Sequence, residues 1–168
     1  MKNIVLIGFM GSGKTEIGKR LADKLGYTFI DTDSIIENEM GKSIAEIFHE
    51  YGEEDFRGLE TGVVKELSGI RGCVISTGGG VVINRENILN LKKDGLMVWL
   101  KASPKTIYER VKSEYRRPLL RVENPLQEIN KLLGIREPLY AEADITIETD
   151  GIDVEKIVAI IADAYSKY

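Results

Sequence analysis

The chain has 168 residues, 43% of them hydrophobic, which is enough for one domain with a sizeable core. No apolar run approaches the ~20 residues of a membrane span, the N-terminal apolar stretch lacks a signal-peptide pattern, and a formal charge of −4 leaves no basic stripe for a nucleic-acid partner. The lone cysteine, Cys73, cannot form an internal disulfide and reads as a buried strand residue in a cytoplasmic protein; the single histidine, His49, has no second ligand nearby and reads as helix surface.

Along the chain, KNIVLIG (2–8) reads as a short apolar strand that runs into GFMGSGKT (8–15). This stretch has the spacing GxxxxGK[ST], with Gly8, Gly13, Lys14 and Thr15 in the demanded positions and Gly11 and Ser12 between them. Glycines let successive N–H groups turn inward around an anion, and a helix starting at the lysine adds its positive end. Lys14 would reach the β- and γ-phosphates of a nucleotide and the Thr15 hydroxyl would hold Mg²⁺, with Glu16 beside them. The following TEIGKRLADKLG places Ile17, Leu21 and Leu25 at helical spacing before Gly26 ends the pattern, so strand, loop and helix come in the required order. A bland glycine-rich turn with a surface lysine is the alternative.

A second strand, YTFID (27–31), leads into DTD (31–33), where Asp31 and Asp33 point the same way in extended backbone. A kinase needs a carboxylate near Mg²⁺ and an acceptor for the substrate's hydroxyl proton, and the pair can divide these tasks; one of them can equally cap the helix starting near Ser34. Two helical stretches are expected within 33–68, containing Arg57 in DFRGLE, which among its acids reads as a solvated ion pair. A third strand (72–77) ends in three glycines, 78–80, which suggest close approach of backbone to a ligand, with a plain loop as the alternative. A helix (84–93), the strand LMVWL (96–100) and the helix SPKTIYERVK follow. The proline-punctuated basic segment 112–125, with Arg116, Arg117 and Arg121, is either a surface connection or a mobile lid whose arginines close over a transferring phosphoryl group. A helix to about 141 carries Arg136, as ambiguous as Arg57, and ADITIET and DVEKIVAIIADAYSKY supply the last strand and helix. Alternating strands and helices imply a parallel sheet covered on both faces, one domain over 1–168, with ligands at the carboxyl ends of the strands.

Taken together and in order, GFMGSGKT, DTD (31–33), SIAEIFHEYGEEDFRGLE (43–60), STGGG (76–80), RRPLL (116–120) and REPLY (136–140) resemble shikimate kinase over almost the whole chain. The resemblance implies an α/β three-layer P-loop fold with a five-stranded parallel sheet in order 2-3-1-4-5, a substrate-binding helical region at about 33–61 and the lid. It implies transfer of the γ-phosphoryl of ATP, with Mg²⁺, to the 3-hydroxyl of shikimate. With no apolar stripe that insists on a dimer, the chain reads as a monomer, and its charge and lack of an apolar span leave no nucleic-acid or membrane partner. On the family's pattern Asp31 is the water-mediated Mg²⁺ partner and Asp33 binds and orients the attacking hydroxyl. Arg57 and Arg136 grip the shikimate carboxylate, Gly79 and Gly80 offer N–H groups, and Phe48 and Phe56 wall the ring unless they are ordinary core. Arg117 reaches the phosphates and Arg110 stacks on adenine. The chain departs from the pattern before its last helix, where Asp153 and Val154 stand in place of a proline against the adenine. Gluconate-type and nucleoside-monophosphate kinases share the P-loop and lid and are the nearest rivals. DFRG (55–58) fits the DxxG of a GTP switch, but its partner NKxD is missing, since NKLL (130–133) has Leu133 in place of aspartate. A nucleotide-binding protein without catalysis is a further alternative, although no polar group that the kinase mechanism calls for is lacking.

Overall fold

A computed structural model of the chain describes residues 2–113 and 121–168. The middle of the expected lid and Arg117 lie outside the described residues. Five parallel strands, β1 (Asn3–Ile7), β2 (Thr28–Asp31), β3 (Cys73–Ser76), β4 (Gly95–Lys101) and β5 (Ile145–Glu148), form one sheet in the order β2-β3-β1-β4-β5. Between them run α1 (Lys14–Leu25), α2 (Thr32–Met40), α3 (Ile44–Leu67), α4 (Arg85–Lys93), α5 (Pro104–Val111) and α6 (Pro125–Tyr140), and α7 (Val154–Ser166) closes the chain.

The central strands are buried on both faces, which is why they read as continuous apolar runs. Side chains alternate along them: Ile4, Leu6, Val98 and Leu100 pack with Ile17 and Leu21 of α1 and Ile157 and Ile161 of α7. Val5, Ile7, Met97 and Trp99 face a second core with Ile36, Val63, Val64, Ile88 and Ile129. Cys73 belongs to that second core, as a buried strand residue should, and His49 is exposed on α3. No helix among the described residues is long and apolar enough to cross a membrane.

Register decides where the chemistry collects. Leu6 and Asp31 both pair with Ser76, so β1, β2 and β3 end level with one another. The phosphate loop, the DTD stretch and the glycine triplet therefore share one rim. Two local features differ from the sequence reading. A 3-10 turn, Val81–Ile83, follows the triplet, and α3 is broken at Gly52, whose φ of 82° and ψ of 174° are open essentially to glycine alone. The break lets the two halves of α3 line two sides of one chamber, bringing Phe48 of the first against Phe56 of the second at 4.6 Å between ring centres.

Candidate active site

The loop GFMGSGKT leaves β1 and turns into α1 with Gly8, Gly11 and Gly13 at φ 145°, 74° and 93°, values that side chains rarely tolerate. Of the described α-helices, α1 alone has no side-chain cap, whereas Asp31, Ser43, Asn84, Ser103, Asn124 and Asp153 cap the others. Its first N–H groups are left for an anion. Lys14, only 8% exposed, donates to the carbonyls of Gly8 (2.8 Å) and Phe9 (3.0 Å). Ser12 is buried behind the loop with its hydroxyl unpaired. Glu16 pairs with Arg20, which also meets Glu155 of α7. On the far wall Arg110 of α5 donates to the Gly11 carbonyl at 3.0 Å. Gly11, Gly13, Lys14, Thr15, Glu16 and Arg110 line a cleft of about 300 Å³ that reaches Asp31, Asp33 and Gly79.

The aspartate pair splits its duties. Asp31 caps α2, accepting from the N–H groups of Asp33 (3.1 Å) and Ser34 (3.3 Å) through one oxygen, while the other accepts from the Thr15 hydroxyl at 3.2 Å. The cap reading and the Mg²⁺ reading of Asp31 are thus compatible in one side chain. Asp33 projects beyond the cap into the junction between this cleft and a second chamber of about 310 Å³, whose walls include Phe48, Phe56, Arg57, Glu60 and Arg136.

Arg57 is not the solvated ion pair its acidic neighbourhood suggested. Its side chain is 18% exposed and donates to Glu60 at 2.9 Å, with exposed Glu53 at 3.2 Å on the other side. Glu60 has no solvent exposure, and one of its carboxylate oxygens has no hydrogen-bond partner. Burial pushes its carboxyl up from the usual range, opposed by Arg57 and reinforced by Asp33. Sequence reasoning passed over Glu60. Its signal was there, since it falls in the apolar stripe Phe56, Val63, Val64 and Leu67, three residues after an arginine. Arg136 is 5% exposed, lies over the Phe9 ring at 5.4 Å and makes no ion pair among the described residues. The buried Glu60 carboxyl feels its charge but forms no direct pair with it, and an anionic ligand is the natural direct partner for such a guanidinium.

The glycine triplet lies between the chambers, and none of its residues has a positive φ. Its role is space. A Cβ on Gly78 would stand 2.7 Å from a Glu60 oxygen and 2.9 Å from an Asp33 oxygen; on Gly79 it would meet the Met10 nitrogen at 3.2 Å, and on Gly80 it would run into the Arg57 guanidinium. The close approach expected of these glycines is, first of all, to the site's own charged side chains. Asp153 is not brought to either chamber: its carboxylate accepts from the Glu155 N–H at 2.9 Å and starts α7.

A phosphate loop on one side of Asp33 and a cation-bearing, aromatic-walled chamber on the other, mounted on a parallel 2-3-1-4-5 sheet, define a P-loop kinase of small molecules. The comparisons narrow this. The family model described as shikimate kinase matches residues 10–166. A shikimate kinase of Thermodesulfovibrio yellowstonii is 48% identical over 99% of this chain and 96% of its own, and one of Caldanaerobacter subterraneus is 47% identical over 99% and 98%. The solved shikimate kinase of Acinetobacter baumannii in complex with shikimate superposes with a TM-score of 0.96 at 40% identity, over 99% of this chain and 94% of that one. A gluconokinase of Sinorhizobium meliloti, 19% identical with a TM-score of 0.62, shares the fold only. The chain belongs to the shikimate kinase family.

Proposed function

We propose that the chain transfers the γ-phosphoryl group of ATP to the 3-hydroxyl of shikimate, yielding shikimate 3-phosphate and ADP. The observation that carries this reading is the junction itself, where Asp33 stands in the wall of both the phosphate-loop cleft and the chamber containing Arg136. Full-length likeness to named shikimate kinases, one of them solved with shikimate, supports the choice of acceptor.

In this reading Arg57, held by Glu60, and Arg136 grip the substrate carboxylate, to which the planar guanidinium offers paired donors. Gly79 and Gly80 add N–H groups, and Phe48 and Phe56 cover the ring. Asp33 orients the attacking hydroxyl and accepts its proton as the bond to phosphorus forms. Lys14 moves from the loop carbonyls to the phosphate oxygens, the N-terminus of α1 holds the phosphate chain, and Arg110 borders the base. Arg117 is assigned to the phosphates as well. The oxygen pair Thr15 and Asp31 suits Mg²⁺, which binds few protein groups directly: Thr15 would hold it and Asp31 would act through water. When bound, the ion neutralises phosphate charge. Transfer is direct and in line, because positioning and charge neutralisation suffice for phosphoryl transfer, and neither histidine nor cysteine lines the described walls. The enzyme is read as one cytoplasmic, monomeric domain.

The test is ADP release from ATP and Mg²⁺ with shikimate, gluconate, AMP or CMP offered separately. Turnover with shikimate alone is expected. Turnover with another acceptor would leave the phosphate loop standing and overturn the roles given to Asp33, Arg57 and Arg136.

A further inference from the structure

One buried polar side chain at the site has no task in the mechanism above. Tyr140 closes α6 four residues after Arg136, on the same helix face, with no solvent exposure. Its ring stacks on Trp99, with centroids 5.7 Å apart and planes 29° apart. Phenylalanine would fill that place equally well, so packing explains the ring but not the hydroxyl.

The hydroxyl donates to the backbone carbonyl of Gly79, and the Arg136 guanidinium lies beside it. Burial pushes the phenol up to about 12, with Arg136 drawing it back, so the group keeps its proton and works as a donor. Three successive glycines have no side chains with which to anchor their peptides. Each peptide here is anchored from outside: the Gly78 N–H by the buried Thr32 hydroxyl at 3.2 Å, the Gly78 carbonyl by the Val81 N–H at 3.2 Å, and the Gly79 carbonyl by Tyr140. The described residues contain no cis peptide, and in a trans peptide the carbonyl of one residue and the N–H of the next lie in one plane, pointing opposite ways. Holding the Gly79 oxygen therefore aims the Gly80 N–H.

We infer that Tyr140 is a positioning residue for recognition of the acceptor's carboxylate, setting the direction of the Gly80 N–H and steadying Arg136 through one hydroxyl. The inference rests on the reading that Gly80 and Arg136 meet the shikimate carboxylate.

Tyr140→Phe keeps the stacked ring and removes only the hydroxyl. Steady-state kinetics would be run on wild type and variant with ATP, with shikimate, and with the shikimate analogue whose carboxylate is reduced to a primary alcohol. Wild-type turnover of shikimate tests the underlying reading; the variant's ratios test this inference. Loss of a buried hydrogen bond at a binding group is expected to lower kcat/KM for shikimate about tenfold, mainly through KM, while KM for ATP and kcat/KM for the alcohol change less than about twofold. A purely structural hydroxyl would lower Tm and leave these ratios alone, or weaken both acceptors alike. Either of those results, or an unchanged KM for shikimate, would overturn the inference.

Discussion

Glu60 turns Arg57 from a surface charge into a fixed one. A salt bridge in water contributes little, but here one partner is wholly buried and the other largely so, and the guanidinium is pinned between Glu60 and Gly80 before any ligand arrives. The same burial makes Glu60 a pH-dependent element of stability. A carboxyl whose folded pKa is raised binds its proton more tightly folded, so its contribution is full below about pH 4 and is lost as pH rises through the folded value. Glu60→Gln keeps the shape and does not titrate. The Tm of wild type minus that of the variant should therefore fall as pH climbs from about 4 to about 8; a rise would show that Arg57, rather than burial, sets the state of Glu60. DFRGLE contains both residues, but whether the pair sits in water or in the core depends on which face of α3 meets the sheet. That is why Arg57 was misread from its neighbours alone.

Elements position these residues through their ends. β1, β2 and β3 stop level, α1 is left uncapped where the anion belongs, and α3 breaks at Gly52 to give a chamber two walls. The glycine triplet was legible as a place where backbone must come close to something, and the structure identifies the nearest of those things as Asp33, Glu60 and Arg57. Gly80 separates space from strain, since its φ of −99° is open to any residue. Gly80→Ala should still fold, because its backbone is unstrained, but push the Arg57 guanidinium aside, lowering Tm through the strained pair with buried Glu60 and raising KM for shikimate roughly tenfold with KM for ATP little changed. An alanine variant with wild-type KM would mean that Arg57 has another place to go that serves as well. The break at Gly52 is legible only as an interruption, the polar GEED (52–55) after which the apolar stripe resumes at Phe56 out of step with Ile47 and Tyr51. The caps, by contrast, stand in plain sequence, Ser43 with Glu46 and Ser103 before Pro104 among them.

At the scale of the molecule the two chambers share a wall but use different binding groups, so their ligands should stabilise the fold separately. A ligand at about 100 times its Kd adds roughly 2.7 kcal/mol to stability, enough to raise Tm by several degrees. Shikimate and a non-hydrolysable ATP analogue should each raise the Tm of wild type. In Arg136→Ala the shift from shikimate should largely disappear while the shift from the nucleotide analogue persists; loss of both would mean that the chambers cannot be separated. By itself the sequence determined the phosphate loop, the alternation that makes a parallel sheet, the aspartate pair and, through the order of its motifs, the family. These are local matters, set by periodicity, glycine conformation and spacing along the chain. Tertiary structure alone decided that Arg57 and Arg136 are buried and that Glu60 and Tyr140 hold them and the glycines in place. They depend on which faces of α3 and α6 meet the sheet's rim and on Tyr140 reaching Gly79 from 61 residues away, and burial there, rather than residue type, sets what each charge can do.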